Sequence, residues 1–316
     1  MSQLVRLRRV LVLACFVGGS SASTTLAHEA GSQASDALWT AWSWEPGVVF
    51  GLTLAAWLYV RGVRALWHAS TAGRGIGWWE ATAFGGGWLV LTVALLSPLH
   101  VIGGLLFSAH MLQHELLMLI AAPLLVLGRP LIACLRGLPL PWRRAAGKFG
   151  KIAWVRCGWQ GATRPLMAWS LQAVGLWLWH VPGLFQAALG DGSVHTLQHL
   201  SFLASAGLFW WALIRGRQGL MGYGAAVLYV FTTSAHSGML GALLTFAPSP
   251  WYPAYAGTAA AWGLTPLEDQ QLGGLLMWVP GGVPYLLAGL ALLAGWLRTA
   301  EGRVRRWENQ ALLRQP

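Results

Sequence analysis

Charge is scarce in this sequence. Only 10% of its 316 residues are Asp, Glu, Lys or Arg, against about 25% in soluble domains. So few charges cannot cover a water-facing globular surface. Acids are scarcer than bases, 10 against 21, for a formal net charge of +11. A basic excess can signal nucleic acid, but here the bases are confined to particular connecting segments, and no nucleic-acid partner is expected. Lysine is almost missing. Lys148 and Lys151 are the two present, and both lie in a connecting loop. No apolar run offers an amine, which excludes a retinal Schiff base. Cysteine is scarce too: Cys15, Cys134 and Cys157 form no C-x-x-C pair and no disulfide framework. There is no C-x-x-C-H for covalent haem attachment.

Hydrophobic residues make up 56% of the chain, and Trp is abundant at 21. Trp favours the membrane–water interface. Seven runs approach the ~20 apolar residues that a bilayer needs, at 46–66, 81–98, 101–127, 166–182, 196–214, 220–246 and 272–297. The expectation is an all-α integral membrane protein, a seven-helix transmembrane bundle over 28–298 with a basic tail at 299–316. Residues 1–27 read as a cleavable signal peptide: Arg6, Arg8 and Arg9, then apolar Val10–Gly19, then Thr25-Leu26-Ala27. Cleavage there makes His28 the new N-terminus. An α-amine beside an imidazole is a capable copper chelate, so His28 is a candidate for outer capture.

The basic residues set the orientation. With the mature N-terminus outside, the inner segments hold Arg61, Arg64 and Arg74, eight bases in the 129–164 loop, Arg215 and Arg217, and five in the tail. The outer segments hold none, but do hold Glu29, Asp36, Glu45, Asp191, Glu268 and Asp269. This distribution predicts an outer N-terminus and a cytoplasmic C-terminus. The 129–164 loop mixes bases with Trp142, Phe149, Trp154 and Trp159, which suits a helix lying on an anionic bilayer surface.

The unusual side chains collect toward the outer half. SAHMLQHELLM at 108–118 places His110 and His114 on one helix face, with Met111, Glu115 and Met118 on the adjacent stripe. His195 and His199 repeat the four-residue spacing, and His236 lies at a depth like that of His110, with Met239 on its face. Met277 sits a turn or two into the last run. Ionisable groups inside a membrane are costly and tend to be functional. Imidazoles with thioethers suit copper, and imidazoles alone also suit zinc or haem iron. Candidate metal ligands are therefore His110, His114, His195, His199, His236, Met239 and Met277, with Glu115 as a proton carrier or metal-tuning group. His100 and His180 fall at interfaces, where a structural role is expected.

Four segments carry a family resemblance: SAHMLQHELLMLIAAPLLVLGRP at 108–130, HTLQHLSFLASAGLFWW at 195–211, AHSGMLGALLTFAP at 235–248 and DQQLGGLLMWVPGG at 269–282. Through them the chain resembles the multi-span CtaG-type cytochrome c oxidase assembly factors of bacteria. The resemblance implies a multi-pass plasma-membrane protein that is not an enzyme and that helps mature a haem–copper oxidase, delivering copper to one of its subunits. It implies as partners that subunit, the lipid bilayer and an extracytoplasmic copper donor. Two other readings stay open on the residues alone: a haem b redox protein, and an intramembrane zinc hydrolase with Glu115 as base.

Overall fold

The computed structural model describes residues 40–69, 75–215 and 221–312. The expected signal segment and His28 lie outside them, as do Arg74, Arg217 and Arg314. The described residues are helical, with no strand. Helix α1 spans Pro46–Ala69, α2 Trp78–Leu96 and the short α3 Pro98–Gly103. Helix α4, Phe107–Glu115, runs through a π-helical segment, Leu116–Ala121, into α5, Ala122–Leu127. Three short helices follow: α6 Pro130–Gly137, α7 Leu140–Phe149 and α8 Ala153–Ala162. Then come α9 Pro165–Trp179, α10 Pro182–Gly190, α11 Gly192–Ile214 and α12 Tyr223–Thr245. The chain ends with α13, Pro266–Trp278, and α14, Gly282–Leu312.

Among the described residues, six helical stretches are long and apolar enough to cross a membrane: α1, α2, α4 with α5, α11, α12, and α13 with α14. The stretch expected at 166–182 is the 15-residue α9, about 22 Å long at 1.5 Å per residue. The stretch expected at 101–127 starts only at Phe107, because Pro98 opens a separate turn of helix before it. The run expected at 272–297 is broken at 279–281, between Pro280 and two glycines.

The α4–α5 stretch is the centre of the bundle. Of its most apolar window 61% is buried within the protein, against 17–44% for the other five stretches. Its π segment has a local cause. In that register the Ala122 N–H bonds the Leu117 carbonyl five residues back, so Met118 would need the N–H of residue 123, which is proline. The Trp210 indole donates to the Met118 carbonyl instead, at 2.9 Å. A freed backbone group in an apolar interior is thereby satisfied from a neighbouring helix.

Two further devices fix the ends. Glu80, in the first turn of α2, accepts the Gly77 N–H at 2.8 Å and pairs with Arg129 at 2.8 Å and Arg215 at 3.3 Å. This clamp joins α2 to the ends of α5 and α11. At the other end α12 and α13 touch backbone to backbone. A Cβ on Gly274 would lie 2.6 Å from the Gly241 carbonyl oxygen, so only glycine permits the approach.

Candidate metal centre

The end of the bundle opposite the Glu80 clamp carries the histidines. The helices that carry His195 and His110 begin at defined caps. Asp191 accepts from the backbone of Ser193 at 2.7 Å and Val194 at 3.1 Å, which starts α11 and puts His195 in its first turn. Those N–H groups, Val194 first, hold the exposed Asp191 carboxyl below its ordinary value. Helix α4 is capped from another helix. Asp269 of α13 accepts from Phe107 N at 2.7 Å, Ser108 N at 3.1 Å and Ser108 Oγ at 2.5 Å. Asp269 is fully buried, and its charge faces the positive end of the α4 dipole. His110 therefore lies in the first turn of α4.

His110, His195 and His199 converge. One ring nitrogen from each lies within 4.8 Å of the others. The rings of His195 and His199 are 4.2 Å apart at their centroids, and those of His110 and His195 are 5.3 Å apart. His114 sits one turn below His110, 4.3 Å from its ring and 5.3 Å from that of His199. Both nitrogens of His110 and His114, and Nε2 of His195 and His199, are buried without a hydrogen-bond partner. The Gly103 carbonyl, which accepts from Tyr255 Oη at 3.0 Å, approaches His110 without reaching hydrogen-bond geometry to either ring nitrogen. Buried polar atoms left bare are rare in folded proteins and call for an explanation. Neutral imidazole nitrogens in a converging set are suited to hold a metal ion.

His100 joins the cluster from α3. Its ring stacks on His195 at 5.4 Å and meets His199 at 6.1 Å. The Gln113 side-chain amide lies 2.9 Å from His100 Nδ1 and donates to the Ala94 carbonyl at 2.7 Å. Nδ1 accepts that contact, so Nε2 carries the proton, 3.5 Å from Glu45 Oε1. Glu45 is half exposed. A cavity of about 60 Å³ between α1, α2 and α11 touches Glu45, His100, His195 and His199. It gives the cluster a mouth.

The other expected residues lie elsewhere. His236 packs edge-on against Trp169, with ring centroids 5.4 Å apart. Met239 is 53% exposed and points out of α12 beside Trp278. Met277 packs in the main apolar core. Glu115 is buried and faces the break between α13 and α14, where a Cβ on Gly281 would come within 2.5 Å of its Oε2. Sequence reasoning set His100 and His180 aside as interfacial and read Asp269 only as an outer acid. The depth of all three was legible. Their convergence was not, because it depends on which faces of different helices meet.

Fold and site together define a class: an all-helical protein with membrane-length apolar helices and a buried histidine cluster at one end. Residues 57–299 match the family described as cytochrome c oxidase caa3 assembly factor, and the chain belongs to that family. An uncharacterized protein of Mycobacterium bovis is 26% identical over 221 residues, covering 67% of this chain and 33% of the relative. An uncharacterized protein of Mycobacterium leprae is 26% identical over 235 residues, covering 67% of this chain and 34% of the relative. The chain thus spans about a third of the length of the curated relatives it matches. No solved structure matches it.

Proposed function

We propose that this protein takes up copper at the histidine end of its bundle and hands it to a subunit of a haem–copper oxidase during assembly. The observation that carries the reading is the convergence of His110, His195 and His199, buried and with bare nitrogens. Family membership supplies the oxidase. The space beside the cluster, about 60 Å³, suits an ion rather than a porphyrin. Glu115 faces Gly281 at the α13–α14 break and is not among the converging ligands, so no catalytic role is assigned.

In this reading the protein crosses the bacterial plasma membrane seven times, with the histidine end outside and the C-terminus inside. Two observations support it. Bases cluster at the Glu80 end, as the positive-inside rule requires of a cytoplasmic face. Helix α9 runs from Arg164, which shares a cavity with Arg215, to His180, which touches Met111 of the histidine helix. It thus connects the two ends despite its length. His28, freed by removal of residues 1–27, would meet an ion from an extracytoplasmic donor first. Glu45 and then His195 would receive it next.

The test is complementation. In a strain lacking this protein, the wild type restores copper content and activity to the cognate oxidase. His110→Ala/His199→Ala does not restore them, while His236→Ala does. Full restoration by the double variant would overturn the proposal.

A further inference from the structure

His180 is held in one tautomer. Its Nδ1 lies 2.7 Å from the Leu176 carbonyl oxygen, which can only accept, so Nδ1 carries the proton. Nε2 is then a bare lone pair. It lies 3.4 Å from Met111 Sδ, which also offers only lone pairs. Two acceptors facing each other, both buried, have nothing to share. An N–H donated to sulfur would require a doubly protonated, charged imidazolium. The rings around His180 are those of Phe185, Phe202 and His114, and among the described residues no carboxylate pairs with it. A buried charge without a partner is strongly unfavourable.

We propose that His180 Nε2 and Met111 Sδ, with His114 as third donor, form a second metal site that takes a soft monovalent ion, Cu(I). The geometry fits. With bonds of about 2.0 Å to nitrogen and about 2.3 Å to sulfur, a near-tetrahedral angle separates the two donors by about 3.5 Å. The Nδ1–H to carbonyl bond is the usual support of a metal-binding histidine, fixing both ring orientation and tautomer. The Tyr252 hydroxyl bonds the His180 carbonyl at 2.9 Å and fixes the backbone. His114 has both nitrogens bare; its ring centroid is 6.5 Å from that of His180, just beyond the ~6.3 Å at which two imidazoles share one ion, so His114 joins as third donor by turning toward it. A soft thioether donor beside imidazole favours the soft ion Cu(I). His114 also borders the three-histidine site, so the two sites lie in series. The nitrogen set receives the ion, and the sulfur-containing set holds it deeper. The order of filling rests on the copper reading above, whereas the site itself rests on the facing lone pairs.

The experiment uses the full-length protein in detergent, loaded anaerobically with Cu(I) and studied by X-ray absorption at the copper edge. The expected result is a sulfur neighbour at about 2.3 Å. Met111→Leu, a volume-conserving change, removes that neighbour and about one equivalent of Cu(I), while zinc binding at the nitrogen site is unchanged. His180→Asn is the second variant and behaves the same way, so a folding failure in one leaves the other to decide. Copper bound without sulfur in the wild type, or sulfur retained in either folded variant, overturns the inner site. His195→Ala separates the two readings: it abolishes zinc binding and keeps the copper–sulfur signal. Loss of zinc binding in no histidine variant would instead sink the three-histidine site and leave this one standing.

Discussion

Asp269 Oδ2 lies 2.7 Å from the backbone nitrogen of Phe107, and its other oxygen takes the Ser108 N–H and hydroxyl. A carboxylate on one helix thus caps the N-terminus of another, and that second helix carries His110 three residues further on. The metal site and the packing of α13 against α4 are one construction. Asp269→Ala removes three charge-assisted hydrogen bonds from a buried helix end. Loss of a cap costs about 1–2 kcal/mol, and hydrogen bonds to a charged group are worth about 1.5–3 kcal/mol each. We expect a lower thermal midpoint in detergent, with metal affinity at the histidine site reduced at least tenfold. Asp269→Asn, which keeps one acceptor oxygen, falls between the two. Wild-type affinity in the alanine variant would break the link between cap and site.

The π segment makes a separate prediction. The Trp210 indole is the donor to the Met118 carbonyl, and Pro123 cannot replace it. Trp210→Phe keeps most of the ring packing but leaves that carbonyl bare, at about 1–3 kcal/mol. Thermal unfolding should show the loss without a change in metal stoichiometry, because the indole meets Met118, Phe209 and Tyr285 and no histidine ring.

Asp191 gives the acid dependence. Its carboxyl is held below the ordinary aspartate value by the Val194 and Ser193 N–H groups. A depressed pKa in the folded state means stabilisation that is complete above the unfolded value and fades as pH falls through the folded one. Asp191→Asn should therefore narrow the gap to wild type in the acid range, below about pH 4, and leave a constant gap at neutral pH. Thermal midpoints measured across pH for both proteins check this. A gap that widens as the solution is acidified would contradict the cap.

Much of the architecture was legible in the sequence. Long apolar runs mark helices whatever they pack against, so six of the expected stretches have membrane-length counterparts. The boundaries were less legible. Pro98 starts a separate turn, and Pro280 with Gly281 and Gly282 breaks the last run, where composition alone showed continuous hydrophobicity. At the site, spacing gave His110 with His114 and His195 with His199, because a four-residue repeat fixes a shared face within one helix. It could not give the approach of His100 and His180, which depends on the Ser97–Pro98 turn and on the end of α9. Nor could it show that His236 faces Trp169, since equal depth in a bundle leaves the azimuth of each helix free.

The most direct measurement is the metal content of the purified protein after loading and desalting, for wild type, His110→Ala/His199→Ala and His236→Ala. The account predicts stoichiometric copper in the wild type and in His236→Ala, and loss of at least one equivalent in the double variant. Copper retained in full by the double variant, or lost on changing His236 alone, would contradict it.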